Sequence, residues 1–222
     1  MITKNIPLLI TLEGGEGSGK TTQARLLFDW MQKRKIPCVL TKEPGSEHIE
    51  ECVKIRELLL NPQNTLSSSS ELLLFLADRA QHVNSLIKPS LEAGKHVICD
   101  RYADSTRVYQ SVRGFSRDKI DTLLDFATGG LMPDVTFLLD IPVDIGLERA
   151  KAKSIYKDGD RMEKAGREFH EAVRFGFLKL AESVSEEHRF QVINSSPPKA
   201  LEETHQEIVT LVSQKLWAEE SK

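Results

Sequence analysis

The segment GGEGSGKT, Gly14 to Thr21, meets the pattern G-x-x-x-x-G-K-[ST]. Gly14 and Gly19 let the main chain turn and aim its N–H groups at phosphate oxygens, and a helix starting at the loop adds partial positive charge. Lys20 would then bridge the β and γ phosphates of a nucleoside triphosphate, and the Thr21 hydroxyl would ligate Mg2+. Gly15, Glu16, Gly17, Ser18 and Thr22 complete the cradle. A glycine turn with a surface lysine spells the same letters, but here an apolar strand pattern precedes the loop and a helical pattern follows it. The chemistry indicated is phosphoryl transfer from a triphosphate.

Phosphate-cradling loops also serve GTPase switches and motor ATPases. A guanine-nucleotide switch needs D-x-x-G after a strand and N-K-x-D for the base, and neither string occurs. What occurs instead is HVICDRY, with Asp100 and Arg101 at a strand end. Asp100 could organise Mg2+ and its waters, and the Arg101 guanidinium could clamp an acceptor phosphate. Read without the loop, the pair would be a charged strand cap. A second stretch, RAKAKSIYKDGDR from Arg149 to Arg161, is dense in cations around a glycine. By itself it reads as a solvated face. Beside a phosphate-cradling loop it reads as a basic lid, about residues 149–163, that excludes water and supplies arginine to the equatorial oxygens of the transferred group.

The elements that must hold these groups follow from periodicity. Apolar runs at Leu8–Glu13, Cys38–Lys42, His96–Asp100, Val135–Asp140 and Phe190–Asn194 read as buried parallel strands. Helical periodicity runs from the loop through Leu26, Leu27, Trp30 and Met31, and again over Glu71–Leu91, Glu163–Glu187 and Leu201–Trp217. Ser67 to Ser70 read as turn and N-cap residues, and Pro89 as a kink or stop. Strands alternating with helices predict an α/β three-layer sandwich of the P-loop NTPase type: a five-stranded parallel sheet with helices on both faces. Ligands then gather at the strand carboxyl ends, where Glu13, Lys42, Glu43, Asp100, Arg101 and Asp140 fall.

The 222 residues, 40% hydrophobic and 28% charged, suit one domain spanning 1–222. A net charge of -3 offers no field for a polyanion, so no nucleic-acid partner is expected. The three cysteines, Cys38, Cys52 and Cys99, lack metal-ligand spacing and fit a reducing, cytoplasmic setting. No run approaches the ~20 apolar residues of a membrane span, and the start has no signal-peptide pattern.

Taken together, the motifs resemble the bacterial thymidylate kinases, over nearly the whole chain. GGEGSGKTT, TKEPG, IRELLL, LLLFLADRAQHV, VICDRYADSTRVYQ, PDVTFLLDIPVDIGLERA and DRME fall in family order. The resemblance implies ATP as donor, dTMP as acceptor, Mg2+ as cofactor and a homodimer. It implies that Phe75 stacks on thymine and that Arg79 binds an exocyclic oxygen. Residues at i and i+4 do share a helix face. It places Arg56 and Arg101 on the acceptor phosphate, Thr106 and Gln110 on the base, Tyr109 under the sugar, and Glu16 and Glu43 by the sugar and metal. No side chain needs to act as a strong base, because the attacking phosphate oxygen is already anionic. Catalysis is positioning and charge neutralisation. Members of this family carry a basic residue at a variable position of the loop or supply arginine from the lid. The variable positions here hold no cation, so the resemblance implies that Arg149 and Arg161 of the lid, supported by Lys151 and Lys153, join Lys20 and Arg101 as catalytic charges.

Some positions depart from the family pattern. Lys42 stands for the usual arginine, Ser46-Glu47 for Gly-Thr, and the stretch from Glu43 to Arg56 is about two residues longer. Arg107 lies where a neutral side chain is usual, and nothing in the sequence accounts for it.

Overall fold

The computed structural model describes residues 6–153, 160–162, 165–183, 185–186 and 188–217. Five strands, β1 (Leu9–Glu13), β2 (Cys38–Lys42), β3 (His96–Asp100), β4 (Val135–Asp140) and β5 (Phe190–Asn194), form one sheet in the order β2-β3-β1-β4-β5. Every pairing is parallel. The strand bounds match the periodicity to within one residue. The three central strands are buried almost throughout, whereas edge strands β2 and β5 alternate with exposed or half-buried positions.

Successive strand residues point to opposite faces, and each face has its own cover. Ile10, Leu12, Ile98, Phe137 and Leu139 pack against α1 (Lys20–Lys33) and α9 (Leu201–Trp217). On the other face, Leu9, Val97 and Cys99 meet α3 (Ser68–His82) and α6 (Arg117–Thr128). Leu138 and Phe190 there meet α5 (Ala103–Val112) and α8 (Arg167–Ala181). Helix α2 (Glu50–Leu60) lies on α3, and α7 (Val143–Lys153) leads from β4 into the basic stretch. Cys38, Cys52 and Cys99 are buried free thiols. Among the described residues no helix is long and apolar enough to cross a membrane.

Three helix expectations need correction. Ser67 alone caps α3, its side chain accepting from Ser70 N, while Ser68 to Ser70 already lie inside the helix. Pro89 neither stops nor breaks the run. The chain widens into a π segment at Val83–Ile87 and returns to an α-helix, α4, at Lys88–Glu92. A wider turn removes the need for the N–H that proline lacks, and proline near a helix start is well tolerated. Helix α8 is shorter than the 163–187 expected, beginning after Gly166 and ending at Ala181. Residues 163 and 187 lie outside the described residues. The basic stretch itself opens in helix, since Arg149 to Lys153 form the end of α7.

Candidate active site

Gly14 leaves the central strand with φ 138°, and a Cβ there would sit 2.4 Å from the Leu139 carbonyl oxygen. Gly17 has φ 65°, and a Cβ on it would lie 2.0 Å from the carbonyl oxygen of Gly146 in α7. The reverse also holds, because a Cβ on Gly146 would lie 2.4 Å from Glu16 O. Glycine on both sides is what lets the loop touch the helix that carries Arg149. The sequence reading missed Gly146, since the close approach is tertiary.

Lys20 folds back over the loop, its Nζ donating to Gly15 O at 2.6 Å, Gly14 O at 3.1 Å and Ser18 Oγ at 3.2 Å. Burial and the nearby Arg101 lower its pKa to about 8, against the opposing pull of Glu16, Asp100 and Glu13. The Thr21 hydroxyl donates to Asp100 Oδ2. These are hard oxygen donors on one wall of the loop's cleft, the ligand type that Mg2+ takes. Glu13, fully buried at the end of β1, accepts from Tyr102 N, Ser105 N and Ser105 Oγ, and so fixes the start of α5. Burial and Asp104 push its carboxyl up to about 7.

Arg101 has φ 70°, a left-handed backbone that turns its side chain back over the loop. Its guanidinium donates to Glu16 Oε1 at 2.6 Å, to Ser105 Oγ at 3.1 Å and to Gly14 O at 3.2 Å. Tyr109 donates to the same Glu16 oxygen at 2.9 Å. Burial disfavours ionised Glu16, but Arg101 and Lys20 outweigh it and hold the carboxyl down at about 2.

On the far side, Arg79 is fixed from three directions. Its Nε donates to Glu43 Oε2 at 2.8 Å, its Nη1 to Thr106 Oγ1 at 2.7 Å and its Nη2 to Tyr102 O at 2.9 Å. Nη2 also lies 2.7 Å from Glu43 Oε2, which leaves one N–H on Nη1 for a ligand. Burial works against the Arg79 charge, but Glu43 raises its pKa above the ordinary value. The second Glu43 oxygen lies 2.9 Å from His82 Nδ1, and His82 Nε2 lies 2.7 Å from Thr41 Oγ1. Glu43, His82 and Cys99 bring their ligand atoms within 4.8 Å of one another, but both imidazole nitrogens are already engaged. This cluster is a polar brace for Arg79.

Two cavities result. One, of about 110 Å³, is lined by Phe75, Arg79, Thr106, Tyr109 and Gln110. The other, of about 690 Å³, runs along Glu16 to Thr22 past Arg149. Glu16, Glu43, Arg56, Arg101 and Asp160 line both. Arg56 reaches this junction with Nη1 donating to Pro44 O at 2.6 Å.

Not every expected residue lies where the sequence suggested. The Gly14 and Gly15 carbonyls face Lys20, and these two residues do not line the larger cleft. Arg161 lines neither cavity; its guanidinium is held by Glu71 and Leu59 O. The side chain of Lys153 lies outside the described residues. Sequence reasoning also missed the far end of the larger cleft, formed by Gln23, Ser195, Lys199, Ala200, Leu201 and Thr204. Gln23 Nε2 donates there to Leu201 O at 3.0 Å, while its Oε1 is buried without a hydrogen-bond partner among the described atoms. A search for charges directly at strand ends passes over this turn, whose one cation, Lys199, lies five residues beyond β5 and pairs with Glu207.

A family model described as thymidylate kinase matches residues 12–208. The chain belongs to the thymidylate kinase family. A thymidylate kinase of Carboxydothermus hydrogenoformans is 47% identical over 186 residues, 83% of this chain and 87% of that one. One from Desulfosudis oleivorans is 46% identical over 200 residues, covering 87% and 91%. Among solved structures, a thymidylate kinase from Ehrlichia chaffeensis superposes with a TM-score of 0.74 at 34% identity, covering 93% of this chain and 98% of that one. Arg107 also finds its account in the fold of this family member. It donates to Asp121 at 2.8 Å, Glu186 at 3.2 Å and Asp104 at 3.3 Å, cross-linking α5, α6 and the approach to β5.

Proposed function

We infer that the chain transfers the γ-phosphoryl group of ATP to the 5′-phosphate of dTMP, giving dTDP and ADP. Thymidylate kinase activity follows from family membership. The observation that carries the mechanism is the junction of the two cavities at Glu16, Glu43, Arg56, Arg101 and Asp160. An acceptor in the smaller cavity and a donor along the glycine loop would bring their phosphates together there.

In this reading Gly14 to Thr22 cradle the triphosphate, with Lys20 swinging from the loop carbonyls onto its β and γ oxygens. Thr21 and Asp100 hold Mg2+, which neutralises phosphate charge. Phe75, half-buried in the cavity wall, stacks on thymine, and the remaining Arg79 N–H meets an exocyclic oxygen. Thr106 and Gln110 face the base, and Tyr109, held on Glu16, packs under the sugar. Arg56 and Arg101 orient the acceptor phosphate for attack. Arg149 supplies positive charge from the lid, about 149–163, of a single domain spanning 1–222. Residues 154–159 and 163 of that lid lie outside the described residues. Exposed Phe126 on α6 and Leu73 on neighbouring α3 support a homodimer, and free buried thiols fit a cytoplasmic setting.

The test is ADP release coupled to a panel of nucleoside monophosphates with Mg2+. Turnover with dTMP should exceed that with CMP or AMP by at least about 100-fold. Good turnover with CMP or AMP but not dTMP, or ATP hydrolysis indifferent to dTMP, would remove the assignment.

A further inference from the structure

Glu71 lies in the first turn of α3 and is 1% exposed, yet three side chains converge on its carboxylate. Oε1 accepts from Gln110 Nε2 at 3.0 Å and lies 2.6 Å from Arg113 Nε. Oε2 accepts from Arg161 Nη1. Arg161 is anchored a second and third time, its Nε donating to Leu59 O at 2.7 Å and its backbone N to Leu60 O at 3.2 Å. Its two neighbours in sequence, Asp160 and Met162, line the acceptor cavity. Arg113 braces the same wall, with its guanidinium 5.1 Å over the Phe169 ring and Nη2 3.8 Å from Met162 Sδ.

Two features set this apart from an ordinary surface ion pair. A buried carboxylate shared by two guanidiniums is strongly coupled, because removing one partner leaves charge unpaired out of water. Gln110 is fixed through the same carboxylate. Its Nε2 must donate to Glu71, so its Oε1 is left as an acceptor, buried and without a partner among the described atoms, on a residue that lines the cavity. One group therefore sets the orientation of a cavity-lining amide and also the seat of residues 160–162.

We propose that Glu71 and Arg161 form a positioning latch: Glu71 orients the Gln110 amide and, through Arg161, holds residues 160–162 as a wall of the acceptor cavity. Arg161 is then a positioning residue for dTMP and not a cation on the transferred phosphoryl group. This rests on the reading of the smaller cavity as the dTMP site. The two fail differently: wild-type enzyme without dTMP turnover sinks that reading, whereas the variants below address the latch alone.

The experiment compares wild type with Arg161→Ala, Arg161→Gln, Glu71→Gln and the Glu71→Gln/Arg161→Ala double variant in steady state, varying dTMP and ATP separately. The latch predicts a KM for dTMP raised tenfold to a hundredfold in Arg161→Ala. KM for ATP and kcat at saturating dTMP should stay within about threefold of wild type. The double variant should lose no more than the worse single one, since both break the same unit. Arg161→Gln keeps a donor toward Leu59 O and provides a folded comparison should the alanine variant unfold. A dTMP KM within threefold of wild type in every folded Arg161 variant overturns the proposal. So does a thousandfold fall in kcat at unchanged dTMP KM, the signature of a transition-state arginine.

Discussion

Lys20 Nζ lies 2.6 Å from the carbonyl oxygen of Gly15, so the lysine closes its own loop. Burial and Arg101 hold its pKa down at about 8. A triphosphate placed beside it would raise that pKa, because an adjacent anion favours the charged form. Below pH 8 the ammonium is already charged and binding needs no proton. Above pH 8 the neutral fraction must be protonated on binding. ATP affinity should therefore fall as pH rises beyond 8, by up to tenfold per unit. Calorimetry at pH 9 in buffers of different ionisation enthalpy should register proton uptake approaching one per ATP. Lys20→Ala should abolish the uptake and cut kcat by at least ~100-fold while leaving the unfolding transition nearly in place. Uptake persisting in that variant would assign the proton to another group.

Phe75 offers a half-buried ring to the acceptor cavity and does not line the donor cleft. Base stacking on an aromatic ring contributes ~1 to 3 kcal/mol, or about 5-fold to 150-fold in affinity. Phe75→Ala should raise KM for dTMP by that factor and leave KM for ATP unchanged. Equal losses for both nucleotides would take Phe75 out of the acceptor site.

Away from the site, Arg189 pairs in bidentate fashion with Asp104, at 2.7 Å and 2.8 Å, with the two side chains 4% and 0% exposed. Removing the cation leaves the buried Asp104 carboxylate to the longer 3.3 Å contact from Arg107. Arg189→Met should lower the unfolding free energy by about 3 to 5 kcal/mol in urea denaturation, with both KM values unchanged at temperatures where the protein remains folded. Asp104→Asn/Arg189→Met should recover part of the loss, because the under-compensated buried charge is gone.

What the sequence made legible follows from the range of the forces involved. The strands and α9 declare themselves through local periodicity, and the glycine loop through a motif whose spacing is dictated by backbone geometry. Phe75 and Arg79 share a helix face by spacing alone. Pro89 does not end the helical run, because the chain widens into a π segment at Val83–Ile87 and resumes as α4 with the proline in its first turn, a change that the local sequence does not signal. Arg161 was assigned by charge density, yet its guanidinium is captured by Glu71, ninety residues distant in the chain. Gly146, Arg107 and the Gln23–Leu201 end of the donor cleft were opaque for the same reason. Each takes its meaning from a partner that only the fold brings near.

The two cavities share a lining at one junction, which predicts that dTMP attacks the γ-phosphorus of ATP directly. The stereochemical course of transfer tests this, using ATP made chiral at the γ-phosphorus with sulfur and oxygen isotopes and dTMP as acceptor. A single in-line displacement at the junction of Glu16, Glu43, Arg56, Arg101 and Asp160 predicts inversion at phosphorus in the dTDP formed. Net retention would require two displacements through a phosphorylated side chain and would contradict the account.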